Sequence, residues 1–183
     1  MIMKKILSLA LAALMTVSML ACGKTAAPEQ TTEAPKAALE GTMEELLNKV
    51  VTENPVEFMG GVIPVDLTDT SEDGLWAIRS FTGLENADSI TEAAAYEPMM
   101  GSMAFSMVMV RVAEGNDPKA VAEAMKAGID IRKWICVEAN EVMAAGYGDV
   151  VMFIMLDNGL GLTAQSFVDA FAKVAGGQLD FTI

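Results

Sequence analysis

The sequence predicts an α+β domain: a small antiparallel sheet of about three to four strands packed with about four helices. Three observations point there. Residues 102 to 112 carry apolar side chains on both alternating faces, as in a central strand covered on both sides. Stretches opening at Thr42, Ser71, Asp117 and Thr163 each begin with a capping residue and continue with apolar residues at helical spacing. Two apolar runs, Glu141 to Ala145 and Val150 to Leu156, flank a glycine-bearing turn and read as a β-hairpin.

Each element follows from local chemistry. Thr42 and Glu45 have capping-box spacing, and Leu46, Leu47, Val50 and Val51 then share one face of a helix that stops near Asn54-Pro55. Val62-Ile63-Pro64-Val65 is apolar, but proline cannot donate to a ladder, so a strand here belongs at a sheet edge. Ser71, followed by Glu72 and Asp73, opens a second helix that carries Leu75, Trp76, Ile78 and Arg79 and closes near Gly83.

In the two-faced strand, Met103, Phe105, Met107 and Met109 face one way, and Ala104, Val108, Val110 and Val112 the other. Asp117-Pro118 starts what reads as the longest helix, through Val121, Ala122, Met125 and Ile129 towards Trp134 and Ile135. The hairpin turn is assigned to Gly146-Tyr147-Gly148-Asp149. Thr163 caps a last helix with Phe167, Val168, Phe171 and Val174 inward, ending at Gly176-Gly177.

The N-terminus has a different character. Lys4 and Lys5 precede an apolar stretch from Ile6 to Leu20, interrupted only by Ser8, Thr16 and Ser18, and Ala21-Cys22-Gly23 follows. This is the basic, apolar and small-residue order of a secretory signal, shorter than the roughly 20 apolar residues a spanning helix needs. Met19-Leu20-Ala21-Cys22 resembles a lipobox, in which the cysteine thiol takes a diacylglyceryl group and becomes the first mature residue. A plain secretory signal is the alternative.

Residues 24 to 40, built from Ala, Thr, Pro, Glu, Gln and Lys, have too little apolar surface to order themselves and reach about 20–25 Å as a coil. The chain therefore divides into a signal peptide (1–21), an acylated cysteine and flexible tether (22–41) and one α+β domain (42–183). Lipid on Cys22 would hold the domain at a membrane surface, outside the cytoplasm, with nothing spanning.

Composition narrows the function classes. Without residues 1 to 21 the chain has ten basic against twenty-five acidic residues, a formal charge of −15, which makes nucleic acid and anionic lipid poor partners. Histidine is absent and, with Cys22 acylated, Cys136 has no disulfide partner. A cysteine hydrolase usually uses histidine as its base, so Cys136 is expected to be a buried, inert thiol.

Methionines 99, 100, 103, 107, 109, 143, 152 and 155 raise the question of soft-metal binding, but methionine filling gaps along a central strand explains them. Asp66, Asp69, Glu72 and Asp73 lack the spacing of a calcium loop and are explained by helix capping. No metal or other cofactor is assigned, and no catalytic residue. Tyr96, Trp76 and Trp134 are the candidate ligand- or partner-facing side chains, with core packing as the reading their scarcity favours.

Met43-Glu44-Glu45-Leu46-Leu47, then Ala95-Tyr96-Glu97-Pro98-Met99-Met100 leading into Met103-Ala104-Phe105-Ser106, with the helix bearing Arg132 and the hairpin after it, carry a resemblance over about residues 42 to 183. In that order they resemble a family of uncharacterised lipoproteins of Clostridia-type bacteria, a domain of unknown function. The resemblance implies location and domain type and transfers no chemistry. The expected function is thus that of a membrane-anchored extracytoplasmic binding or interaction domain. Its partner would be an envelope protein, a cell-wall component or a small molecule. The alternative is a carboxylate-based hydrolase of the cell envelope.

Overall fold

The computed structural model describes residues 38–183. The signal segment, Cys22 and most of the tether lie outside the described residues. The described residues form one compact unit. Its centre is a six-stranded, wholly antiparallel sheet in the order β1-β2-β3-β5-β4-β6. The strands are β1 (Gly60–Pro64), β2 (Ile90–Pro98), β3 (Phe105–Val112), β4 (Glu141–Tyr147), β5 (Val150–Leu156) and β6 (Phe181–Thr182).

Four helices cover both faces: α1 (Met43–Glu53), α2 (Glu72–Thr82), α3 (Pro118–Gly128) and α4 (Ala164–Ala175). Met43, Leu46, Leu47 and Val50 of α1 and Phe167, Val168 and Phe171 of α4 bury Phe105, Met107, Met109, Met152 and Ile154 on one face. Ile78 of α2 and Val121, Ala122 and Met125 of α3 bury Val108, Val110, Val151, Phe153 and Met155 on the other. Every residue of β5 is buried. A strand enclosed on both faces must be apolar throughout, which is why its sequence shows no alternation.

The α+β class is as expected, but the sheet has six strands where three to four were predicted. The added strands are β2 and β6. Ala93-Ala94-Ala95 has weak intrinsic strand preference. It is a strand because β1 and β3 pair with it on either side and its small side chains let α1 on one face and the α2/α3 layer on the other come close. The two-residue β6 exists through its pairing with Ala145 and Gly146. Edge placement of β1 agrees with its proline, and β3 has the two faces expected of it.

Capping sets the helix starts. The Thr42 hydroxyl accepts from Glu45 N–H at 3.1 Å, and Thr42 N–H donates to the Glu45 carboxylate at 3.1 Å. Ser71, Asp117 and Thr163 cap the other three. Helix α3 stops at Gly128 instead of running on to Trp134, so α4, with 12 residues, is the longest described helix. The cause is contact between helix ends. Gly83, at φ 74° the left-handed C-cap of α2, lies so near Gly128 that a Cβ on Gly128 would stand 2.1 Å from the Gly83 carbonyl oxygen. Beyond Gly128 the chain turns away as an irregular segment, 129–140. In the β4–β5 hairpin Tyr147 pairs with Val150, so the turn is Gly148-Asp149 alone, with Gly148 at φ 58°.

The approach of Gly83 and Gly128 gives a direct prediction. Gly128→Ala forces backbone to move and should cost about 1–3 kcal/mol, the usual range for overpacking. Gly61→Ala, where a Cβ meets nothing within 4 Å, should stay within about 0.5 kcal/mol of the parent. Urea denaturation of the two variants measures both, and equal stabilities would contradict the contact.

Candidate functional site

One turn of α2 presents Trp76, Arg79 and Ser80 on a shared face, because positions three and four apart are neighbours on a helix. The 129–140 segment passes beside it. Together Trp76, Arg79, Ser80, Gly128, Asp130, Arg132 and Lys133 line a cleft of about 400 Å³. The glycine contact that ends α3 also shapes this cleft, since Gly128 is part of its wall.

The wall beyond Gly128 is fixed by a local turn and one buried side chain. Asp130 Oδ1 accepts from Arg132 N–H at 2.9 Å, the Asx turn that lets the chain reverse. Lys133 then points under the segment. Its Nζ donates to Glu97 Oε1 at 2.8 Å, Ser106 Oγ at 3.0 Å and the Ser80 carbonyl at 3.2 Å, which uses all three ammonium donors. The Ser106 hydroxyl donates in turn to the same Glu97 oxygen. Lys133 Nζ also lies 5.1 Å from the Phe81 ring centroid and 5.4 Å from that of Trp134.

The Lys133 and Glu97 side chains are each 12% exposed, and Ser106 is fully buried. Burial holds the Lys133 ammonium below the ordinary lysine range, with the Glu97 carboxylate opposing that shift. The network ties α2, β2, β3 and the irregular segment to one point, and it leaves the cleft floor charge-neutral and satisfied.

The cations at the rim are arranged differently. Arg79 Nε stands 3.8 Å from Glu85, and Arg132 Nε pairs with Glu138. Among the described residues the Nη nitrogens of both guanidinium groups meet no acceptor. Residues 38–183 contain eight Lys and Arg against 23 Asp and Glu, and three of those eight cations line this single cleft.

The three aromatic candidates separate. Trp76 is 67% exposed and stands on the cleft wall, so core packing does not account for it. Trp134 is half-buried beside Lys133 and lines a neighbouring hollow with Arg132, Cys136, Val137 and Glu138. Tyr96 belongs to the core on the opposite face of the sheet, edge-on to Phe105 and packed over Gly60, whose absent Cβ would stand 2.7 Å from its ring.

Cys136 corrects an expectation: it is exposed, because the segment that carries it leaves the helix before reaching it. Met107, Met109, Met152 and Met155 pack in the two cores, whereas Met99 and Met100 are exposed on the β2–β3 connection. Asp66 and Asp69 accept from Thr68 and Ser71 in successive Asx turns, and those hydrogen bonds lower both carboxyl pKa values. Among the described residues no three His, Cys, Asp or Glu side chains gather as metal ligands, and no helix is long and apolar enough to cross a membrane.

Lys133, Glu97 and Ser106 were not among the sequence candidates. Ser106, the lone polar side chain between Phe105 and Val110, was the available signal, since a polar group enclosed on both sides needs a partner.

A second polar cluster sits at the other end of β3. Arg111 pairs with Asp149 at 2.6 Å and Glu92 at 3.5 Å, and its Nη2 donates to the carbonyls of Gly41 at 2.7 Å and Leu39 at 3.1 Å. Leu39 N–H donates to Asp149 and Met43 N–H to Glu92, so the entering chain is clipped to the sheet from Leu39 onwards. Ser106 and Arg111 point to opposite faces and are about 17 Å apart along the strand. The chain thus enters the domain at the opposite end and opposite face from the cleft.

These features define the class: an antiparallel sheet sandwiched between two helical layers, with a cleft bearing Trp76, Arg79 and Arg132 on the α2/α3 side. Compared with known proteins, the chain matches no family model, no curated protein and no solved structure.

Two outcomes test the buried network. Lys133→Met alone strands Glu97 and should cost up to the roughly 3–5 kcal/mol of a broken buried pair, while Glu97→Gln with Lys133→Met should recover most of that. Because the folded lysine loses its proton below the ordinary 10.5, the unfolded chain binds more protons as pH rises through that window. The wild type should therefore gain stability relative to the double variant between the lowered value and 10.5; parallel curves of denaturation midpoint against pH would refute the shift.

Proposed function

We propose that this protein is a lipid-anchored extracytoplasmic binding domain, held through Cys22 and using the cleft beside Trp76 to take a small envelope ligand. The observation that carries the reading is the placement of that cleft. An exposed tryptophan and two guanidinium groups with unfilled Nη donors face it, at the end of the sheet away from where the tether enters. A domain held at one end would present the other to its surroundings.

The N-terminal pattern of Lys4-Lys5, the Ile6–Leu20 stretch and Ala21-Cys22 supports the anchor. The charge of −15 after residue 21 favours neutral or locally recognised ligands over polyanions. The likeness to uncharacterised Clostridia-type lipoproteins is compatible with this address. A carboxylate-based hydrolase is the weaker reading. Two acids would have to face each other across a cleft, and Asp130 is the single acid lining this one.

Cys22→Ser should move the protein out of the detergent-soluble membrane fraction or leave it unprocessed, with loss of the lipid mass from the mature N-terminus; unchanged fractionation and mass would overturn the anchor. Native mass spectrometry of protein purified from its own host should show bound mass that Trp76→Ala diminishes. A bare domain, or bound mass indifferent to Trp76, would overturn the cleft as the site.

A further inference from the structure

We infer that the cleft takes a neutral sugar ring, laid on Trp76 with its hydroxyls spread over Arg79, Ser80, Asp130 and Arg132; this rests on the cleft being the binding site. Trp76 is exposed on the outer surface of α2 and fills no core. One face of a sugar ring is a set of C–H groups of slight positive charge, which suits the electron-rich face of an indole. Such a ring stacks without a formal charge of its own. The cleft, at about 400 Å³, falls within the size of small-ligand sites.

The charge of the ligand follows from the balance around the cleft. Arg79 is paired with Glu85, Arg132 with Glu138 and Lys133 with Glu97, and Asp130 stands on the wall as well. Three cations thus face four carboxylates, 3 − 4 = −1, and no positive surplus is left to answer an anion. A cation fares no better, because the two guanidinium groups themselves line the space and repel it. A neutral ligand leaves every one of these pairs unbroken.

What the wall offers instead is hydrogen bonding of both senses. Each guanidinium is paired at Nε with its glutamate, while its Nη nitrogens, which can only donate, meet no acceptor among the described residues. The Asp130 carboxylate can only accept; its Oδ1 takes the Arg132 N–H, and two carboxylate oxygens have capacity for further bonds. Ser80 adds a hydroxyl that does either. Lys133, with its three donors used, forms the floor. A ligand hydroxyl donates and accepts at once, so a ring carrying several of them meets donors and acceptors side by side. A bare apolar ring would leave them unused.

The test uses one ring in three charge states and one ring without the hydroxyls. The neutral probes are methyl β-glucoside and its galacto epimer, the anion is methyl β-glucuronide, the cation is methyl β-glucosaminide at mildly acidic pH, and the stripped ring is cyclohexylmethanol. The protein is the chain from residue 22 onwards with Cys22→Ser, which keeps the whole domain and omits the lipid. Its two tryptophans give two indole N–H signals in a nitrogen-correlated NMR spectrum, and Trp76→Phe, an exposed change, assigns them.

A neutral glycoside should shift the Trp76 signal in a saturable way and bind about fivefold or more tighter than cyclohexylmethanol, the gain from roughly one net hydrogen bond. Both charged sugars should bind more weakly than the neutral one. Arg79→Met with Arg132→Met, which keeps the apolar stems and removes the donors, should narrow the gap to cyclohexylmethanol while leaving the spectrum folded. Tighter binding of the glucuronide or the glucosaminide, or equal binding of cyclohexylmethanol, overturns the neutral-sugar assignment but leaves the cleft as a binding site. No shift of the Trp76 signal by either neutral glycoside overturns the assignment as well; if host-purified protein then still carries mass that depends on Trp76, the cleft reading survives without it, and if it carries none, both fall.

Discussion

Everything in this domain depends on β3 and β5 being enclosed from both sides. Once both faces of these strands are withdrawn from water, each needs its own helical layer, and the chain supplies α1 with α4 for one and α2 with α3 for the other. The apolar area removed from water is the dominant favourable term in folding. It also sets a condition on polar groups: any that enter this interior must be paired. Ser106 is the one buried polar side chain on the central strands, and its pairing with Lys133 and Glu97 meets that condition.

The same pairing builds the cleft. Lys133 reaches the sheet only because α3 has already stopped, and α3 stops where Gly128 meets Gly83. The glycine contact, the Asx turn at Asp130 and the buried lysine together hold an irregular segment against α2 without regular hydrogen bonding. Such a segment could not be placed by hydrophobic pattern alone, for it buries little. It is placed by one cation whose three donors are each used, together with the backbone hydrogen bonds that Ile135 N–H and Asn140 N–H donate to the carbonyls of Gly101 and Leu156, and that leaves Arg132 and Arg79 at the rim.

Two ends of one strand thus carry different tasks. Arg111, near the end of β3, receives the entering chain through the carbonyls of Leu39 and Gly41; Ser106, near its start and on the other face, receives the cleft's lysine. The rigidity of a doubly covered strand fixes the separation between them.

What the sequence determined by itself was whatever depends on near neighbours along the chain. The capping box at Thr42 and Glu45, the Ser71 start and Gly83 end of α2, the Asp117-Pro118 start of α3 and the two-faced pattern of β3 were all legible, because capping and side-chain alternation act within a few residues. Of the candidate side chains, Trp76 was visible as an aromatic, though its exposure was not.

Only the tertiary structure decided the rest. Ala93-Ala94-Ala95 has no strong strand preference of its own and became β2 by pairing on both sides; the helix pattern past Gly128 was overruled by contact with Gly83, 45 positions earlier. The exposure of Cys136 follows from that early stop. Lys133, Glu97 and Ser106 come from three separate elements, and their attraction exists only after the sheet brings them within hydrogen-bond reach and removes the water that would otherwise screen them.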